Sequence, residues 1–178
     1  MQFRSKTQKF IFLSLLAATA IVLSYMERMI PFPFFLPGMK LGLANIITLS
    51  ALYYYDFKDV LVVVLVRVFV TFLIVGQAMS LIYSLSGGVL SLLGMYLLIK
   101  FASKWVSPIG VSIFGAFLHN IAQLIVLAII MNSVSISINY GPYILLTSIG
   151  TGFFVGITSN IFIERIFPEV MRNNHIGS

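Results

Sequence analysis

Six apolar stretches succeed one another along this chain with only short connections between them: Phe10–Met26, Leu41–Tyr55, Val60–Gly76, Leu81–Ile99, Pro108–Met131 and Pro142–Ile163. A helix needs about 20 apolar residues to cross the hydrocarbon of a bilayer, and about 17 to 25 are tolerated. Backbone polar groups inside lipid must bond one another, so stretches of this length fold as helices. A water-soluble alternative fails on composition, because a chain that is 60% hydrophobic and 9% charged lacks the polar groups to coat a soluble surface. The expectation is an all-α membrane protein, a six-transmembrane-helix bundle forming a single integral membrane domain over residues 1–178. Leu41–Tyr55 is short for a lipid-facing span and requires shielding by its neighbours or extension by the loop before it. The first stretch, "FIFLSLLAATAIVLSYM", outruns the apolar core of a typical secretory signal and reads as a retained helix.

Basic residues set the orientation, because cytoplasmic segments are enriched in Lys and Arg while acids matter little. With the N-terminus inside, the inner segments hold Arg4, Lys6, Lys9, Lys58, Lys100, Lys104, Arg165 and Arg172, and the outer ones hold only Arg28 and Lys40. Both termini are therefore expected in the cytoplasm. The net charge of +6 is explained by this asymmetry, and no basic run of the kind that binds nucleic acid is present.

The same inventory removes several kinds of chemistry. There is no cysteine, and the other metal ligands are two histidines, His119 and His175, with five scattered carboxylates, so neither a metal centre nor a cofactor is expected. No GxxxxGK[ST] loop is present for ATP hydrolysis. No carboxylate lies within a membrane stretch to relay protons or sodium, although His119 has the chemistry to titrate.

What remains is a set of polar residues where lipid would not tolerate them. Arg67 stands at the middle of "VLVVVLVRVFVTFLIVG", where an ionised side chain costs about 2.5 to 3.5 kcal/mol on insertion scales. It must face protein or water. Glu27 falls at the outer end of the first helix and the other acids are cytoplasmic, so a ligand is a candidate counter-charge for Arg67. His119, Asn120 and Gln123 lie at similar depth in "GAFLHNIAQLI", where interhelical hydrogen bonding is the competing role. The fourth stretch opens with "YSLSGG", in which Ser84, Ser86, Gly87 and Gly88 weaken helix and bare the backbone. Gly152 and Gly156, at GxxxG spacing, read as close helix packing. The first outer loop, "ERMIPFPFFLPGMK", combines three prolines with an aromatic surface from Phe32, Phe34 and Phe35, and leads into "LPGMKLGLAN". An interfacial anchor and a segment dipping toward a ligand both fit that loop. Together Arg28, Lys40, Asn45, Arg67, Ser86, Gly87, His119 and Asn120 are the candidate substrate-binding residues around one outward-opening cavity, suited to an anionic ligand with an aromatic or prenyl part.

The order "PFPFFLPGMKLGLANIITL", "SLSGG" and "GAFLHNIAQL" resembles, over nearly the whole chain, a small bacterial membrane family labelled both heptaprenyl diphosphate synthase component I and Gx transporter. Its size and layout are also similar to the substrate-binding S components of energy-coupling factor (ECF) transporters. That resemblance implies a multi-pass protein of the bacterial cytoplasmic membrane that binds a vitamin, cofactor or quinone precursor near its outer face. It also implies partners, a membrane coupling subunit and two ATPase subunits, and docking through small residues of the first helix. In place of the family's AxxxA pattern, "SLLAATAIVLS" offers Ser14 with Ala18 and Ala20 with Ser24. The synthase label implies something else. Prenyl elongation needs aspartate-rich motifs that hold magnesium, whereas Asp56 and Asp59 merely flank Lys58 in a turn, so the chain is at most a noncatalytic subunit of such an enzyme. A scaffold subunit of a membrane redox or quinone-synthesis complex is the third reading.

Overall fold

A computed structural model of the chain describes residues 6–29, 42–166 and 168. Among these residues the fold contains six α-helices: α1 (Lys6–Met29), α2 (Asn45–Leu52), α3 (Phe57–Val75), α4 (Ala78–Ala102), α5 (Pro108–Ile130) and α6 (Val134–Ile161), the last followed by a π-helical turn at Phe162–Ile166. Lys40 and the proline–phenylalanine stretch of the first outer loop lie outside the described residues.

The helix count agrees with the sequence pattern, but the number of spans does not follow from it. Four of these elements, α1, α4, α5 and the stretch Ile138–Ile166, are long and apolar enough to cross a membrane. α3 has 19 residues and carries Lys58, Asp59 and Arg67. α2 has eight residues, about 12 Å of helix against a hydrocarbon core of about 30 Å. The second stretch, expected over Leu41–Tyr55 as a short span in need of shielding or extension, is thus shorter still. The reason is local: Gly42 takes a left-handed φ of +86°, and the helix stops at Tyr53, so much of the apolar run is not helical.

Distribution of polarity is that of a membrane protein. Leu73, Ile129, Leu146 and Tyr143 point outward with their rings and branches exposed, while Glu27, Asn45, Arg67, His119 and Gln123 are buried. α2 is the hub of this arrangement. All eight of its side chains are buried, and it packs against α1, α3, α4, α5 and α6. Leu49, Ala51 and Leu52 join Val60 and Val64 of α3, Leu92 and Met95 of α4 and Val111 of α5 in the main apolar core.

Around that hub the most extensive pairing is α5 with α6. A Cβ at Gly152 would lie 2.5 Å from Ile113 Cα and one at Gly156 2.8 Å from Ile109 Cα. The two glycines therefore bring α6 into contact with the α5 backbone, the close packing that GxxxG spacing permits. Pro142 lies inside α6 rather than opening it.

Long-range bonds fix which helix ends are together. Lys9 Nζ pairs with Asp59 Oδ2 at 2.6 Å, and Tyr54 Oη donates to Ile163 O. The start of α1, the start of α3 and the end of α6 thus share one end of the bundle. At the other end Arg28 reaches Gln77 and Ser80 at the α3–α4 turn. Lys100 and Lys104, at the end of α4, fall at the Lys9–Asp59 end.

Candidate functional site

Near the middle of α3, α4 and α5 the buried polar residues converge on the start of α2. Arg67 of α3 is 5% exposed. Its guanidinium lies against Gly88 of α4, where an added Cβ would come within 2.8 Å of Nη2. On the neighbouring position, a Cβ at Gly87 would be 2.7 Å from Cε1 of His119. α4 therefore has no side chain where α3 and α5 present theirs, and a cation and an imidazole approach its backbone on adjacent faces.

This explains "SLSGG" in a way that the sequence alone did not. α4 runs unbroken from Ala78 to Ala102, so the two glycines make room rather than interrupt the helix. Lipid-embedded helices tolerate such residues because neighbours cover the backbone. Ser86 is placed differently from the two glycines. Its hydroxyl donates to Ile82 O of its own helix at 2.8 Å.

His119 is held by Gln123 one turn along α5, with Nε2 of the ring 2.7 Å from Nε2 of the amide. The edge of the ring is also near the start of α2, since Cδ2 would be 3.8 Å from a Cβ at Gly42. Asn45 opens α2, and its Nδ2 donates to Ser91 Oγ of α4 at 3.4 Å. Asn45, Arg67, Gly87 and His119 of the candidate set are thus brought together, each from a different helix. Asn120 belongs to a second contact. Its Nδ2 donates to Ser148 Oγ at 2.8 Å and to Ile144 O at 3.4 Å, bonding α5 to α6.

Glu27 was legible in the sequence only as a residue at a helix end, and the structure gives it a larger part. Its side chain is buried. Oε1 accepts from Gly42 N at 2.6 Å and Oε2 from Leu43 N at 3.3 Å. The carboxylate therefore sits at the N-terminal end of α2, where unpaired amides and the helix dipole favour negative charge. It also lies close enough to Arg28 and Arg67 to act on both electrostatically. Arg67 thus has an acid in its field, against the expectation that none would be near. That acid does not complete the guanidinium's bonding, because Nε and Nη2 of Arg67 have no hydrogen-bond partner among the described residues. Oδ1 of Asn45 is likewise unpartnered there. In an apolar interior such groups carry a desolvation cost of about 1 to 3 kcal/mol each, more for a charged one.

Arg28 is only partly buried and braces α1 against the α3–α4 turn through Gln77 and Ser80. The small residues of α1 divide between two faces. Ser14 and Ala18 are exposed, whereas Ala20 and Ser24 are buried, with Ala20 packed on Ala44 and Ile47. Among the described residues no group of three or more His, Cys, Asp or Glu is placed to hold a metal ion.

No curated protein sequence matches this chain. A solved structure of the S component of a bacterial ECF transporter is similar over 98% of this chain and 100% of that one, with a TM-score of 0.58 and 24% identity. The two therefore share a fold. The family described as heptaprenyl diphosphate synthase component I matches residues 16–162, a stretch that begins in α1, ends at the close of α6 and contains every residue of the polar cluster. The chain, a multi-pass membrane protein, belongs to that family.

Proposed function

We propose that this protein is the substrate-binding membrane subunit of an ECF-type uptake system, taking a small anionic ligand with an aromatic or prenyl part. The observation that carries the reading is the unsatisfied bonding capacity of buried Arg67, Nε and Nη2, beside the start of α2. A ligand oxyanion supplies the acceptors that the fold does not, and two guanidinium N–H groups match its geometry. Asn45 and His119 add neutral polar contacts at the same depth. The likeness to an ECF S component supports the fold-level half of the reading. On that model the partners are a membrane coupling subunit and ATPase subunits, and the exposed Ser14–Ala18 face of α1 meets the coupling subunit. The chain itself does no chemistry, and both termini face the bacterial cytoplasm. A reporter fused after Ser178 should accordingly be active only in the cytoplasm, and export of that reporter would reverse the orientation.

Ligand-dependent stabilisation tests the binding role. Purified protein in detergent should melt at higher temperature with one of four probe classes: flavins, thiamine-like compounds, naphthoate quinone precursors or prenyl diphosphates. Mass action gives about 2.7 kcal/mol at a ligand concentration a hundredfold above Kd. The family description favours a second reading, a noncatalytic component of a prenyl diphosphate synthase. Under that reading flavins, thiamine-like compounds and naphthoate quinone precursors leave the isolated chain unstabilised, and adding the chain to a soluble prenyl diphosphate synthase changes its product.

A further inference from the structure

On the outer surface of the bundle, away from the polar cluster, α4 and α5 leave an apolar groove of about 310 Å³. Its walls include Leu93, Leu97 and Phe101 of α4 with Phe114 and Leu118 of α5, and Gly94 forms the floor. From Leu90 to Phe101 the groove follows α4 for about 16 Å, which is about half of a hydrocarbon core and so the depth of one leaflet. It ends where the bundle is basic. Nζ of Lys100 lies 5.6 Å from the Phe101 ring centroid and 5.7 Å from that of Tyr96. The ammonium is therefore held over a wall of the groove at its mouth. Lys104 follows one turn later and is exposed. Neither lysine is in an ion pair among the described residues. Beside them Trp105 is 89% exposed, at the place where an indole anchors in headgroups.

We propose that this groove is a binding site for an anionic phospholipid of the leaflet at the Lys100 end, with one acyl chain along Gly94 and the phosphate against Lys100 and Lys104. Length and charge both select this occupant. A chain of one leaflet's depth fills the groove without crossing the midplane, and basic residues at a membrane surface attract anionic headgroups. A zwitterionic lipid fits the groove equally well but gains no net charge interaction at its mouth.

Trp105 is the chain's single tryptophan and reports on its own site. The full-length protein is reconstituted in phosphatidylcholine vesicles carrying a small, equal mole fraction of acyl-brominated phosphatidylglycerol or acyl-brominated phosphatidylcholine. The anionic lipid should quench Trp105 more efficiently, its local enrichment being about fivefold, the effect of one lysine near the surface. Lys100→Gln with Lys104→Gln should remove the difference while leaving unquenched emission unchanged. Two variants address the acyl half. Leu97→Phe fills the groove directly, and Gly94→Ala fills it indirectly, since the new Cβ would lie 2.0 Å from the movable Leu118 Cδ1 and push that side chain aside. Either should reduce the preference with both lysines in place. Equal quenching by the two lipids in the wild type overturns the proposal, and so does a preference that survives both groove-filling variants, which assigns the effect to surface charge alone. Equal quenching that responds to added prenyl diphosphate also overturns it, in favour of an isoprenoid occupant.

Discussion

Arg67→Met should leave a folded protein that has lost on the order of 1.5 to 3 kcal/mol of ligand affinity, the range of a charged hydrogen bond. Methionine keeps much of the side-chain volume and removes the buried charge, so insertion is unharmed or improved. Arg67→Lys should restore only part of the affinity, because a point charge does not reproduce the planar fork. Gly88→Ala tests the same contact from the other side. Its Cβ would come within 2.8 Å of Nη2, the movable end of Arg67, so the guanidinium shifts at small cost to the fold while affinity falls. The measurement is melting temperature and ligand affinity on one preparation. Normal affinity in an Arg67→Met protein that melts lower would assign the arginine to structure and end its role as a ligand contact.

Glu27→Ala should act in the opposite way, on stability first. It removes the acceptor of the Gly42 and Leu43 amides. At about 1 to 3 kcal/mol for a buried donor left unsatisfied, the loss is on the order of 3 kcal/mol for the pair. It also takes the acid out of the field of Arg67 and Arg28. Glu27→Gln retains one acceptor oxygen and should recover part of the loss. Thermal unfolding in detergent separates the three proteins. If Glu27→Ala melts with the wild type, the carboxylate does not hold the start of α2.

These two residues also show why the sequence was informative at one place and silent at another. Arg67 announces itself, because a cation in the middle of an apolar run is costly wherever the run lies, and burial of that cation follows from the pattern alone. Glu27 does not. Its meaning depends on a backbone amide 15 positions later, a contact that no periodicity encodes. Gly87 and Gly88 were conspicuous, yet their neighbours were not, and a double glycine reads as a helix break until Arg67 and His119 are seen lying on it. His119 and Asn120 are adjacent in sequence but about 100° apart around a helix, so one faces α2 and α4 and the other α6. The six apolar blocks match the helices in order, but α6 begins at Val134, eight residues before Pro142, while the other ends lie within about four residues of those expected. The extent of α2 and the early start of α6 are what the pattern does not give, since hydropathy measures what a segment can bury and not where its backbone turns.

That short helix has a consequence for how the protein is made. A segment recognised by lipid during synthesis must satisfy the bilayer on its own, with its outer face dissolved in acyl chains. α2 has no outer face, because all eight of its side chains are buried and the other five helices enclose it. With eight residues it is too short to span a bilayer by itself when it is synthesised, and at that point it has only α1 to pack against. Its environment exists only after α3 to α6 have arrived. Burial of the chain's centre is therefore complete only when α3 to α6 have packed around α2, whereas the grip of Glu27 on the Gly42 and Leu43 amides needs no element beyond α1 and the residues just before α2.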